Sequence, residues 1–272
     1  MKKKIICGIT GHTGSIGKNL IKKDNFKFIF FKDDIRNFIS VEKWIQKNKL
    51  DIIIHLAAIV PIKVVNENKK KAFDVNVLGT KNLVKAILKN KHSIKWIFFS
   101  STSHVYSSSK KKIKENSSIK PISYYGKTKY LAEKEIRKLR LKNIKVCIGR
   151  IFSTANSNQR QNYLVPDLKR KIRKLKEPVA LENLNHYRDF ISVDDISRII
   201  VTLSKKSFNG VINIASGKKT KLSEIAEAIS KRFKRKILIK NNINPSYLIA
   251  NNNLLKKIYK FRIKRNIKDL IF

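Results

Sequence analysis

Cysteine, methionine and proline are all scarce in this chain, with 2, 1 and 5 copies among 272 residues. The two cysteines, Cys7 and Cys147, both sit in apolar runs. They exclude a disulfide framework and a cysteine-based metal site, and they fit the reducing cytoplasm. Glycine is also sparse at 9 copies, and no stretch is of low complexity, which excludes long flexible linkers. Long uncharged apolar runs are missing as well: nothing approaches the roughly 18 residues that a membrane-spanning helix needs. The start, Met1-Lys2-Lys3-Lys4-Ile5-Ile6, imitates the head of a signal peptide, but Gly8 and Gly11 cut the apolar run, so it reads as a first β-strand.

Acidic residues are the other shortage, 19 against 62 Lys and Arg, for a net charge of +43. Such an excess raises the question of a nucleic-acid partner. The lysines, however, are spread over predicted helix faces and loops. They form only short runs such as Lys110-Lys111-Lys112, without interleaved stacking aromatics. A drift toward Lys, Ile and Asn accounts for this, and no specific nucleic-acid partner is expected. The charge still favours anionic ligands such as diphosphates. None of the five histidines has metal-ligand spacing; His12, His55, His92 and His186 read as turn, sheet or surface residues.

What is present is a βα rhythm. Short β-rich runs at 4–10, 27–31, 51–56, 95–101 and 144–151 alternate with helical stretches at 15–23, 41–48, 68–90 and 124–142. This predicts an α/β fold, a doubly wound parallel sheet over residues 1–151. From residue 152 the rhythm becomes irregular, as in a small C-terminal substrate-binding lobe over 152–272. Residues 186–204 return to the sheet domain, with Asp194 capping a helix at 195–204. The segments 211–215, 222–233 and 236–240 form a βαβ-like tail.

Gly11-His12-Thr13-Gly14-Ser15-Ile16-Gly17 follows a strand and opens a helix. Glycines there allow a tight turn and close approach to a pyrophosphate, met by the free amides of Ser15 and Ile16. The Gly-x-x-Gly-x-x-Gly spacing resembles that of the extended short-chain dehydrogenases/reductases, the nucleotide-sugar epimerase/dehydratase family. Asp34-Ile35, His55-Leu56-Ala57-Ala58 and Asn76-Val77-Leu78-Gly79-Thr80 are similar to further motifs of that family, in the same order. The resemblance implies a Rossmann-type sheet holding NAD or NADP against Gly11, Gly14, Ser15, Ile16, Gly17, Asp34, Ile35, Leu56, Ala57, Ala58, Asn76 and Phe152. Phe30-Phe31-Lys32-Asp33-Asp34 offers both a base and acids near the adenosine ribose, so the choice between the two cofactors is open.

Tyr125 and Lys129 are four residues apart at the start of a helix, hence on one face. A cation and a positive helix end would lower the phenol's pKa from its usual value of about 10, making Tyr125 an acid/base at neutral pH. Phe99-Ser100-Ser101-Thr102-Ser103-His104-Val105-Tyr106 is similar to the family's Phe-Ser-Ser-Ser-x-x-Val-Tyr. This implies a catalytic set of Thr102, Tyr125 and Lys129, with Tyr125 and Lys129 also holding the cofactor. Family dehydratases carry Asp-Glu where this chain has Ser103-His104. Arg150-Ile151-Phe152-Ser153 and Arg188-Asp189-Phe190-Ile191 resemble two more motifs, which add Ser153 and Arg188 to Thr102, Ser103 and His104 as substrate contacts.

The reading that follows is a cytoplasmic NAD(P)-dependent enzyme acting on a nucleotide-diphosphate sugar, either a 4-epimerase or a 4-ketosugar reductase. The alternatives are a dehydratase using His104 and a non-catalytic dinucleotide-binding regulator. Family dimers pair through the helices that would here be 68–90 and 124–142. Lysines on both would have to be steered clear, so homodimer and monomer are both open.

Overall fold

The computed structural model describes residues 4–90, 94–155, 163–260 and 263. His92, most of the tail beyond residue 260 and the segment 156–162 lie outside them. The five expected strands form as β1 (Ile5–Thr10), β2 (Phe26–Phe30), β3 (Ile52–His55), β4 (Trp96–Thr102) and β5 (Lys145–Ile151). Every pairing in the central sheet is parallel, and its order is Gly210–Ile214, β5, β4, β3, β1, β2. The strand Gly210–Ile214 therefore closes one edge of the main sheet instead of serving a βαβ tail. Its neighbour in that expected tail, Ile237–Lys240, pairs with Val179–Glu182 in the lobe.

Strand parity explains the two cores. Ile52, Ile54, Trp96 and Phe98 face the layer that includes Ile196, Ile199 and Ile200 of the helix Val193–Lys205. The intervening Ile53, Ile97 and Phe99 face Val41, Trp44, Leu83 and Ile136 on the opposite side. Both faces are covered, which is why these strands read as continuous apolar runs. Ser192, not Asp194, caps that helix: its hydroxyl oxygen accepts the Asp195 amide at 2.9 Å. A separate lobe core gathers Val165, Leu168, Val179, Leu181, Ile225 and Ile229.

The helices up to β5 are α1 (Ser15–Leu20), α2 (Phe38–Lys47), α3 (Ile62–Glu67), α4 (Lys69–Phe73), α5 (Gly79–Lys89) and α6 (Tyr124–Arg137). The single helix expected over 68–90 is thus interrupted by a π-helical turn, Asp74–Leu78. Asn76, at its middle, points inward and is fully buried. The helix expected over 124–142 ends at Arg137, with a 3-10 turn to Lys142. No helix among the described residues is long and apolar enough to cross a membrane.

Chain order reverses between β1 and β3, so their C-terminal ends flank the crevice where ligands bind in open α/β sheets. A buried hydrogen-bond chain fixes this place. Thr80 donates to the Asn76 carbonyl at 2.7 Å, so it accepts from His55 Nε2, 3.0 Å away. Nδ1 is then the bare nitrogen and accepts the Thr10 hydroxyl at 2.6 Å. Thr10 in turn accepts the Ala57 amide at 3.2 Å. The Asn76 side chain brackets Ile59, accepting its amide at 2.8 Å and donating to its carbonyl at 3.0 Å. Its other amide hydrogen goes to Thr128 at 3.0 Å, and Thr128 donates to the Tyr125 carbonyl at 2.8 Å. The sheet ends are thereby tied to α6.

Burial, helped by the Lys129 charge, pulls the His55 pKa from 6.5 down to about 3. The unfolded chain therefore takes up this proton first, so His55 adds stability above pH 6.5 that is lost as pH falls toward 3. The loss should run at about 1.4 kcal/mol per pH unit. Urea unfolding between pH 6.5 and 5 should give wild type a steeper loss than His55→Gln, by close to one proton. Parallel slopes would contradict the neutral-histidine network.

Candidate active site

The glycine turn is shaped by its neighbours. Gly11 sits at φ +72°, and a Cβ there would lie 2.6 Å from the Ala57 amide nitrogen. At Gly17 a Cβ would come within 2.5 Å of the Gly11 carbonyl. Gly14 differs, since its Cβ would meet only the Gly11 oxygen, at 3.3 Å. Packing demands the outer two glycines, while the middle one leaves the backbone open to a close-approaching ligand. Gly14 starts α1 with no side-chain cap, so the amides of Ser15 and Ile16 have no capping side chain to answer them. Leu56, Ala57 and Ala58 follow β3 and are half-buried beside this turn. These features fit a dinucleotide.

Three of the expected cofactor residues have their side chains elsewhere. Ile35 is buried under Gly79, where a Cβ would lie 2.5 Å from its Cγ2. The Asn76 side chain is taken up in the hydrogen-bond chain described above. Phe152 is buried with Tyr106, ring centroids 6.4 Å apart, beside Val105 and Leu248. Asp34 is exposed, and its carboxylate is held by Arg36 Nε at 2.9 and 3.0 Å, which lowers its pKa.

Thr102 ends β4, Tyr125 opens α6 and Lys129 lies one turn further on. The Thr102 side chain lies close enough to the Tyr125 phenol to oppose the rise of its pKa, and it accepts the His104 amide at 3.3 Å. Gly126 makes this approach possible, because any Cβ there would fall 2.1 Å from the His104 carbonyl oxygen. Tyr125 and Lys129 are only 8% and 2% exposed. Desolvation therefore dominates, and the phenol's pKa is raised above 10, with Tyr163 adding to the rise and Thr102 opposing it. That reverses the lowering expected from the nearby cation and helix end. The Lys129 ammonium, over the Phe99 ring at 4.2 Å, is pulled down to about 7 by burial, against the opposing Glu133 charge.

Of the expected substrate contacts, Ser103 is buried at 2% exposure with its carbonyl accepting the Tyr106 amide at 3.1 Å. The His104 ring lies 6.1 Å from that of Tyr125, and its Nδ1 is 3.1 Å from the Ser123 hydroxyl. Burial, then the Arg188 charge, lowers the His104 pKa to about 4, so it is neutral at physiological pH. Arg188 donates to the Tyr187 and Ser246 carbonyls at 2.8 and 3.0 Å and to the Ser246 hydroxyl at 2.9 Å. Asp189 turns away to the Ser216 and Gly217 amides at 2.9 Å each, and Asp194 pairs with Lys23 and Arg198. Ser153 is half-buried on a strand paired with Phe190–Ser192, next to the Arg188 strand.

Two features had no sequence signal of their own. Glu133 receives Arg150 through two bonds, Nε to Oε1 at 3.0 Å and a second nitrogen to Oε2 at 2.8 Å, and also the Ser101 hydroxyl at 2.5 Å. This buried pair stands one turn behind Lys129. Tyr163 approaches the Tyr125 phenol closely enough to influence it electrostatically.

Comparison with known proteins places the chain and its fold. A family model described as GDP-mannose 4,6 dehydratase matches residues 9–265. GDP-6-deoxy-D-talose 4-dehydrogenase from Aggregatibacter actinomycetemcomitans is 32% identical over 244 residues, covering 86% of this chain and 82% of its own. UDP-glucose 4-epimerase from Mycoplasma genitalium is 28% identical, covering 99% and 87%. Among solved structures, RMD from Pseudomonas aeruginosa complexed with NADPH superposes at a TM-score of 0.86 with 19% identity, covering 98% and 96%. UDP-glucose 4-epimerase from Thermus thermophilus in complex with NAD gives 0.83 at 19%, with the same coverages. The chain is thus an enzyme of the nucleotide-sugar epimerase, dehydrogenase and dehydratase kind, and it belongs to the GDP-mannose 4,6 dehydratase family.

Proposed function

We propose that this enzyme reduces a 4-ketosugar carried on a nucleoside diphosphate, with NAD or NADP as the hydride carrier. The observation that carries the reading is the placement of Thr102 beside the buried Tyr125 at the crevice, with the phenol's pKa raised by burial. A phenol that holds its proton is suited to giving one to a carbonyl oxygen. Bound nicotinamide would supply the hydride. A keto oxygen seated between the two hydroxyls would accept hydrogen bonds from both, aligned before reaction. As negative charge grows on that oxygen, the proton moves from Tyr125 Oη, and a protonated Lys129 one turn away stabilises the phenolate left behind.

Arg188 supports the substrate class. Its hydrogen bonds go to neutral groups, and the neighbouring acids Asp189 and Asp194 are engaged elsewhere, so its charge is available to a diphosphate. The 4-dehydrogenase relative at 32% identity acts, by its name, at the same sugar carbon. An epimerase would use the same atoms in both directions, and tight dinucleotide surviving purification would favour it. Elimination of water through His104 is disfavoured, since an imidazole with a pKa near 4 is a weak proton carrier at neutrality. A sensor without chemistry would have no use for the Thr102–Tyr125 arrangement.

Tyr125→Phe should lower kcat for reduction of a nucleotide-linked 4-ketosugar by roughly 10²–10⁴-fold while dinucleotide affinity stays within a few-fold. Thr102→Val should lower kcat in the same assay without disturbing the fold. Full turnover in Tyr125→Phe would remove the mechanism. Because Lys129 is charged only below about pH 7, kcat for reduction should decline as pH rises through that value, and Lys129→Met should lose this limb of the profile.

A further inference from the structure

We infer that the end of the small lobe where two of its helices stop is a docking surface for an anionic lipid bilayer. Lysines and arginines there meet the headgroups, and Leu175 and Leu238 enter the interface. Positive charge is spread over most of the chain, but not evenly. Residues 170–176 hold five Lys or Arg in seven positions and residues 231–236 five in six, against 62 in 272 overall, so both runs are far denser than composition alone supplies.

The fold sets the two runs side by side. The first ends the helix Leu164–Lys174 and the second ends the helix Leu222–Phe233, and Ile172 and Ile229 of these helices share the lobe core. Arg235 crosses from one run to the other, donating to the Leu175 carbonyl at 2.6 Å and pairing with Glu177 at 2.7 Å. The Arg173 guanidinium lies over the Phe233 ring, 5.2 Å from its centroid. The Val179 amide donates to the Lys236 carbonyl at 2.9 Å, where the parallel pairing of Val179–Glu182 with Ile237–Lys240 begins. None of these residues belongs to the site described above.

Stability of the lobe does not explain the crowding. A helix dipole favours cations in the last turn, but Lys176, Lys234 and Lys236 lie beyond the helices and are exposed. The acids flanking the first run are already engaged, Asp167 with Arg170 and Lys171 and Glu177 with Arg235. Like charges held this close repel one another, and an anionic partner relieves that repulsion. The hydrocarbon nearby identifies the partner. Leu175 is 45% and Leu238 48% exposed, and Leu238 pairs with Ala180, which is exposed as well. A single strand of nucleic acid asks for open aromatic faces, whereas Phe233 is half-buried beneath Arg173. A bilayer interface takes a polybasic cluster together with exposed leucines. Val165, Leu168 and Ile172 stay in the lobe core, so docking requires no helix to leave its place.

Flotation of the purified full-length chain with lipid vesicles tests the inference without reference to turnover. The protein should float with vesicles of two parts phosphatidylcholine to one part phosphatidylglycerol, stay behind with phosphatidylcholine alone, and be released by high salt. Reversing four charges at the surface, with Lys174→Glu, Lys176→Glu, Lys231→Glu and Lys234→Glu together, should weaken partition at least tenfold while the thermal midpoint stays within a few degrees of wild type. Reversing four exposed lysines of the sheet domain, Lys43, Lys47, Lys49 and Lys81, should weaken it less than threefold. Leu175→Ser with Leu238→Ser, which leaves the charge unchanged, should weaken it several-fold. Equal losses in the two charge-reversed proteins would trace the binding to net charge and overturn the inference, as would absence of flotation with the mixed vesicles. Partition unmoved by the leucine changes, or binding of poly(U) that the mixed vesicles do not displace, would overturn it in favour of a nucleic-acid partner. Each of these outcomes leaves the oxidoreductase reading standing.

Discussion

The site depends on one buried chain of hydrogen bonds running from Thr10 through His55, Thr80, Asn76 and Thr128 to the backbone of Tyr125. Four separate pieces of sequence meet in it: the end of β1, the end of β3, the π turn with Thr80 just after it, and the start of α6. Each link is directional, because every hydroxyl in it both gives and receives, and the donor of one bond dictates the acceptor of the next. Such networks are costly when partly satisfied and specific when complete. Here completion ties the wall that would face a dinucleotide to the helix that carries Tyr125 and Lys129. A shift of α6 along the sheet would break bonds at both ends.

Behind this wall lies a second buried arrangement that holds β4 and β5 against α6. Glu133 takes Arg150 and Ser101, and Arg150 also stacks over Tyr106 at 4.7 Å while donating to the Glu115 carbonyl at 3.1 Å. A buried ion pair of this kind gives little net stability, but it penalises any packing that would separate its members. Glu133 lies one helical turn from Lys129 and opposes the loss of that ammonium's charge. The same dry surroundings that raise the phenol's pKa thus contain one carboxylate placed to keep a nearby proton.

The parallel sheet was legible because residues buried on both faces give unbroken apolar runs such as Ile52-Ile53-Ile54, and the order of the motifs gave the crevice its residues. Three things were not legible. A π turn leaves no periodic trace, so the segment holding Asn76 read as one smooth helix although Gly79 against Ile35 fixes its course. Capping was assigned to Asp194 because aspartate is a strong N-cap, yet the chain enters the helix two residues earlier and Ser192 takes the amide. The direction of the Tyr125 shift was misread because spacing reveals a neighbouring charge but not the depth at which both groups lie. Desolvation depends on the whole fold.

The shortage of acids sharpens the meaning of those kept inside. The chain has 19 Asp and Glu against 62 Lys and Arg. Among the described residues Glu133, Asp189 and Asp195 are nonetheless buried, and each has a structural duty. Asp189 gathers the Ser216, Gly217 and Ala250 amides and fastens the strand after Arg188 to the lobe. Asp195 closes the cap with Ser192, at 2.7 Å from its hydroxyl. Replacing any of them by lysine would bury an unpaired charge, which costs several kcal/mol, whereas an exposed acid can be exchanged at almost no cost. The buried acids therefore mark contacts on which the fold of the site relies.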